Sequence, residues 1–173
     1  MNLGGIRVAV PATPEDAKGL MKSCIRSDSP SFFLEAGGRG GEMGEVPDGD
    51  YVTPWGQAAV RCTGGDVTVV AIGSMVKLAM AAAEVLRKEH SIHVEVIDPR
   101  TLQPFDSATV IDSVKRTHRA LIVHEAVRFG GLGGEIAAQL QELAFDYLDA
   151  PIARVGAPFS PVPYSPALEA QYV

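Results

Sequence analysis

The chain has little with which to bind a polyanion, cross a bilayer or staple itself together. Its net charge is −6, from 15 Lys and Arg against 21 Asp and Glu, with no long run of one sign. Nucleic acid and anionic membrane both require a basic face, so neither is expected as a partner, whereas a basic protein suits this charge. No apolar run approaches the roughly 20 residues that span a bilayer. The opening MNLGGIRVAVP lacks the layout of a signal peptide. The two cysteines, Cys24 and Cys62, have neither CxxC nor zinc spacing, which argues against a disulfide framework and for a reducing cytoplasm. Aromatics are sparse, at 6%. Ser-His-Asp, HExxH and P-loop patterns are all missing.

What is present is a core and a rhythm. Apolar residues form 46% of 173, enough for one domain, or one domain and part of another. The first 35 residues read as strand, helix, strand. IRVAV (6–10) is β-branched, and Thr13, Pro14, Glu15 and Asp16 make a helix start. Ala17, Leu20, Met21, Cys24 and Ile25 then fall at the spacing of one buried helical face. SFFLE (31–35) is a short strand. Residues 36–56, rich in Gly, Pro and acid, show no period and read as an exposed linker, with a second domain over 57–173.

Within that domain strands and helices alternate. VTVVAIG (67–73), HVEVID (93–98), RALIVHE (119–125) and IARVG (152–156) are strands. Ser74 and Asp106 are candidate caps for the first two helices, and Val76, Ala79, Ala83 and Leu86 form an apolar stripe. The third helix is expected from about Gly133 to Leu148, PRTLQPF as a rigid loop, and the proline-rich tail as extended chain. Repeated βα units imply an α/β fold with a mostly parallel sheet covered on both faces.

The candidate chemistry gathers at strand ends. In FGGLGGE (129–135) the glycines fall outside the GxGxxG register, so the loop is either an anion cradle or a close-packed turn. AIGSM (71–75) offers the same choice. His124 and Glu125 sit where open α/β sheets place ligands. His124 could serve as acid or base, or simply hydrogen-bond a neighbouring loop. His90, His93 and His118 read as surface residues, and Asp98 with Arg100 as an ion pair locking a loop.

A set of segments, in order, resembles one family: VAVPATPEDAKGLMKSCIRSDSPSFFLE, GEVP, VTVVAIGSMV, VEVIDPRTLQPFD, LIVHEAVRFGGLGGEIAA, FDYLDAPIARV and SPVPYSPALE. They are similar to the beta subunit of thiamine-diphosphate-dependent 2-oxo acid dehydrogenases of the pyruvate, branched-chain and acetoin type. The resemblance covers essentially the whole chain. It implies a transketolase C-terminal-like three-layer domain, preceded over 1–35 by a strand-helix-strand remnant of a pyrimidine-binding domain. It also implies that the activating glutamate and the active-site histidine lie upstream, and that thiamine diphosphate and magnesium are held largely by an alpha subunit. On that reading the chain alone is an inactive association domain, and residues 1–35 should pair with another chain, dock on the following domain or be disordered. Implied partners are the alpha subunit, a second beta subunit and the subunit-binding domain of the acyltransferase core.

The family likeness carries three sites over. Cys24, Ser27 and Ser29 match backbone-carbonyl ligands of a structural potassium ion. Asp149, in YLDAP, is the acidic contact for the basic acyltransferase surface, or a plain helix-end Asp. The segment after Glu35, aromatic and basic in relatives, here reads AGGRGGEM. The glycine loop is expected at a subunit interface. The alternatives are another transketolase-type enzyme, such as a deoxyxylulose-phosphate synthase, and a free-standing α/β module that binds an anion or nucleotide at Gly73 and His124.

Overall fold

The computed structural model describes residues 3–36 and 43–172. Most of the AGGRGGEM stretch lies outside the described residues. The chain opens with β1 (Arg7–Ala9), α1 (Pro14–Ile25) and β2 (Ser31–Phe33). β1 and β2 run parallel, with Arg7 opposite Ser31 and Ala9 opposite Phe33. α1 starts as the sequence predicts: Thr13 Oγ1 accepts from the Asp16 amide at 3.1 Å, and Pro14 is the first helical residue.

The buried face of α1 is rotated from the expected stripe. Leu20 is buried, but Met21 and Ile25 are exposed, and the inward positions include Asp16, Gly19 and Ser23. The cause is the segment read as an exposed linker, whose later part straps along the helix. Lys18 Nζ donates to the Pro47 carbonyl at 2.6 Å, Asp50 takes Lys22 and Arg26 at 2.8 Å each, and Tyr51 Oη donates to the Glu15 carbonyl at 2.9 Å. Thr53 is buried at the close approach that Gly19 permits, because a Cβ there would overlap Thr53 Oγ1.

The remaining elements are β3 (Ala59–Cys62), β4 (Val67–Ala71), α2 (Met75–His90), β5 (Val94–Asp98), β6 (Thr101–Gln103), α3 (Ser107–Thr117), β7 (Ala120–Val127), α4 (Leu132–Ala144), β8 (Ala153–Ala157) and α5 (Pro166–Tyr172). The main sheet has the order β3-β5-β4-β7-β8. β5, β4, β7 and β8 are parallel, and β3 is an antiparallel edge. Successive strand residues point to opposite faces. Val69, Ala71, Val94 and Val96 therefore pack under Val76 and Ala83 of α2, while Val70, Ile97 and Ile122 pack under Val110, Val114, Ile136 and Leu140 of α3 and α4. This is the three-layer α/β arrangement. Asp106 caps α3 as expected, accepting from the Thr109 amide at 3.1 Å.

Three expectations are corrected. PRTLQPF is not only a loop: Thr101–Gln103 forms β6, antiparallel to β1, in a small sheet of order β2-β1-β6. Two flanking prolines disguise so short a strand, and its partner lies far away in sequence. That pairing docks the first strand-helix-strand unit on the following domain and joins Val8 and Leu102 to the main core. The tail is not wholly extended, because Pro166 opens α5. α4 ends at Ala144 in a single 3-10 turn, Phe145–Tyr147, instead of running on to Leu148. Ile25, Phe32 and Leu34 of the first unit remain exposed.

Candidate functional site

β4 leads through α2 to β5 on one side, and β7 leads through α4 to β8 on the other. The crevice outside the carboxyl ends of β4 and β7 is thus the topological switch point of the sheet, where open α/β folds place ligands. A cavity of about 260 Å³ lies there, lined by Ile72, Gly73 and Ser74 after β4, by His124, Glu125 and Ala126 of β7, and by Val10, Leu34, Leu102 and Leu132.

His124 is 4% exposed. Its Nδ1 lies 2.9 Å from the Ala126 carbonyl. A carbonyl can only accept, so Nδ1 carries the hydrogen, and in the neutral ring Nε2 is an acceptor. Among the described residues, His124 Nε2 and Ser74 Oγ are the buried side-chain polar atoms without a hydrogen-bond partner. Both residues line this one cavity.

The glycines now have a reason. A Cβ on Gly133 would sit 2.5 Å from His124 Nε2, one on Gly131 3.0 Å from Cε1, and one on Gly156 2.9 Å from Cε1. Glycine loop and strand β8 together make the slot for the imidazole ring. The loop expected at a subunit interface is therefore shaped, at its inner glycines, by packing within the chain. Ser74 departs from its expected role. It adopts helical φ −57°, ψ −27° and makes no side-chain cap, so its hydroxyl is left over. The preceding Gly73 turns the chain at φ +60°.

The expected Asp98–Arg100 ion pair is replaced by a larger cluster. Asp98 Oδ2 accepts from Arg61 Nη2 at 2.7 Å, and the same guanidinium pairs with Asp16 of α1. Arg100 gives only its amide to Asp98, at 3.0 Å, while its guanidinium lies 3.6 Å from Asp16 and donates to the Gln57 carbonyl. Arg100 takes a left-handed backbone, φ +59°, which turns its side chain away from the strand. Two arginines thus balance two buried aspartates across the seam between the first unit and the main sheet. Burial, reinforced by the neighbouring Asp16, pushes the Asp98 carboxyl up to about 6 against the pull of Arg61. Arg61 carries no motif, and sequence alone had no signal for it.

Cys24, Ser27 and Ser29 share the turn between α1 and β2. The Cys24 carbonyl accepts from the Ser27 amide at 3.2 Å, and the Ser29 carbonyl accepts hydroxyls of Ser27 and Ser31 at 3.1 and 3.2 Å. These bonds fix the course of the turn, and the Cys24 carbonyl keeps a second lone pair. Burial pushes the Cys24 thiol up. Asp149 is exposed and lies 3.7 Å from Arg119 Nη2, which offsets part of its charge. His90, His93 and His118 are on the surface, as expected. Among the described residues no three His, Cys, Asp or Glu side chains come together as a metal site. No helix among the described residues is long and apolar enough to cross a membrane.

Comparison with known proteins decides the lineage. Residues 56–173 match the family model "Transketolase, C-terminal domain". The chain belongs to this family. A transketolase C-terminal domain also accounts for the fold: a solved "Split gene transketolase, inactive beta4 tetramer" superposes with a TM-score of 0.78 at 27% identity, over 99% of this chain and 53% of that one. The likeness extends beyond the transketolase C-terminal domain to the first unit. The Bacillus subtilis (strain 168) "Acetoin:2,6-dichlorophenolindophenol oxidoreductase subunit beta" is 41% identical over 99% of this chain and 50% of its own length. The Rickettsia felis "Pyruvate dehydrogenase E1 component subunit beta" is 44% identical over 95% and 50%. The chain spans about half the length of these curated relatives. The beta-subunit resemblance read from sequence is the right one.

Proposed function

We propose that the chain serves as the association portion of a beta subunit in a thiamine-diphosphate-dependent 2-oxo acid dehydrogenase. The observation that carries this is the 41% identity sustained over 99% of the chain, through both the first unit and the transketolase C-terminal domain. The parent reaction is oxidative decarboxylation of a 2-oxo acid, with the acyl group passed to lipoyl on an acyltransferase. Bound in the assembled enzyme, thiamine diphosphate supplies the carbanion chemistry. On this reading cofactor and magnesium are held by the rest of the assembly. This chain's part is a rigid platform.

Its exposed apolar surface supports an associating role. Val155 on the β8 edge is exposed, and Phe129 and Phe159, also exposed, stack with ring centroids 4.8 Å apart. Such surface on a strand edge favours burial by another chain. The partners are the alpha subunit and a second beta subunit, with Asp149 facing the basic subunit-binding domain of the acyltransferase. Residues 1–35 are assigned to a pyrimidine-binding domain, 36–56 to the link and 57–173 to the association domain.

Sedimentation of the chain with an acetoin- or pyruvate-type alpha subunit tests the reading. Together with calorimetric titration of thiamine diphosphate and magnesium, the expected result is a complex with the alpha subunit and no cofactor heat from the chain alone. Saturable cofactor binding by the isolated chain, or no association with either alpha subunit, overturns it.

A further inference from the structure

The main sheet is covered unevenly. α3 and α4 pack on one face, whereas among the described residues α2 is the only helix in the apolar cluster on the other. β7 shows the difference residue by residue. Ala120 and Ile122 point to the α3 and α4 side and are buried, while Leu121 and Val123, on the α2 side, are only partly covered. Val155 of β8, in register with Val123, points the same way and is 54% exposed. Ala153, in register with Leu121, is exposed too. Parallel sheets are normally roofed on both faces. The α2 side of β7 and β8 is instead a bare apolar strip. Two strands side by side make it about 10 Å wide, the width of one helix.

α2 carries the complementary surplus. Val76 and Ala83 face its own sheet. On its outer side Leu78, Ala82, Val85 and Glu89 follow at i, i+4, i+7 and i+11, with Leu78 57% and Val85 49% exposed. One molecule thus has a strip that takes a helix and a helix with a second apolar stripe. A two-fold axis parallel to the strands satisfies both at once, because each α2 then lies between its own sheet and the strip of a second copy. The charges agree with this packing. α2 runs back from the carboxyl end of β4 to the start of β5, so its last turn comes beside the start of β7 in the second copy. Glu89 there meets the exposed Arg119, which directly precedes β7. Arg87 and Lys88 do not oppose the match, since Glu84 binds both. At the other end Glu125 of β7 comes beside the positively polarised start of α2. We propose that two copies of this chain pair through α2 and the bare strip of β7 and β8, each α2 sandwiched between two sheets. The proposal deepens the association reading above and rests on it for naming the second copy a beta subunit.

Sedimentation equilibrium of the full chain, from micromolar to submillimolar concentration, is the test. The expected result is a mass that rises with concentration from the 18.3 kDa of one chain to twice that value. Leu78→Glu and Val155→Glu each put a carboxylate into the contact and should weaken the dimer about tenfold or more. Both side chains are exposed in the single chain, so circular dichroism of the variants should match that of the parent. Glu89→Arg should also weaken the dimer, and adding Arg119→Glu should restore it. Binding of an alpha subunit is measured alongside. A chain that stays monomeric, a dimer indifferent to Val155→Glu, or a charge swap that restores nothing would each overturn the proposal. A monomer whose alpha-subunit binding is abolished by Val155→Glu would overturn it too, giving the strip to the alpha subunit and leaving the association reading intact. That reading falls separately, if the chain binds no alpha subunit whatever its own mass.

Discussion

Replacing Arg61 by methionine isolates the seam between the first unit and the main sheet. The guanidinium bridges both buried carboxylates, Asp16 at 3% and Asp98 at 0% side-chain exposure, and is itself 20% exposed. Removing one partner of a buried pair costs about 3–5 kcal/mol, because the remaining charge stays desolvated. Partial access of water around position 61 and the nearby Arg100 cation relieve some of this, so a loss of about 3 kcal/mol is expected at pH 7. For a chain of this size that is a fall of roughly 6–12 °C in Tm. The loss should shrink as pH drops through the Asp98 pKa, because a protonated Asp98 no longer needs the cation. Chemical denaturation of both proteins at pH 7 and pH 5 measures it. A loss below about 1 kcal/mol at pH 7, or one identical at both pH values, would refute the reasoning.

The same carboxyl sets a pH signature in the unaltered chain. Its folded pKa, about 6, stands above the ordinary 3.8, so the native state holds the extra proton. The stability this contributes is present below about pH 4 and lost as pH rises through 6; Asp98→Asn should flatten that slope in urea melts across the window. Two neighbouring glycines should respond with opposite signs. Gly133→Ala drives a methyl to 2.5 Å from His124 Nε2 and should destabilise by about 1–2 kcal/mol, after the helix preference of alanine is set against overpacking. Gly134→Ala meets only the end of the flexible Arg154 side chain, at 3.2 Å, and should stabilise by about 0.5–1 kcal/mol in thermal melts. A stabilised Gly133→Ala protein would mean that the ring slot is not tight.

The apolar runs of β4 and β5 were legible because these central strands, buried on both faces, must be continuously apolar; the half-exposed edge strand β3 carried no such run. The caps at Thr13 and Asp106 were legible because capping is local. β6 was not, because a three-residue strand is defined by its partner, and β1 lies at the other end of the chain. The Arg61 cluster and the strap over α1 were hidden for the same reason: tertiary pairing chose among many surface charges. His124 was visible as a strand-end residue. Its orphaned nitrogen and the part played by Gly156 were not, because they depend on what three separate segments leave around one ring.

The β1–β6 pairing has a consequence for how the chain is made. Within the small sheet β1 leaves the ribosome before β2, and β6 follows only after α2 and β5 have emerged. Until then the exposed edge of β1 and the Phe32 and Leu34 side chains are available to any passing strand. Holding non-local strands apart from other chains during that delay is work for a chaperone or for a co-translated partner. Low temperature or slow synthesis should therefore decide the yield of soluble chain more than any change to its stability.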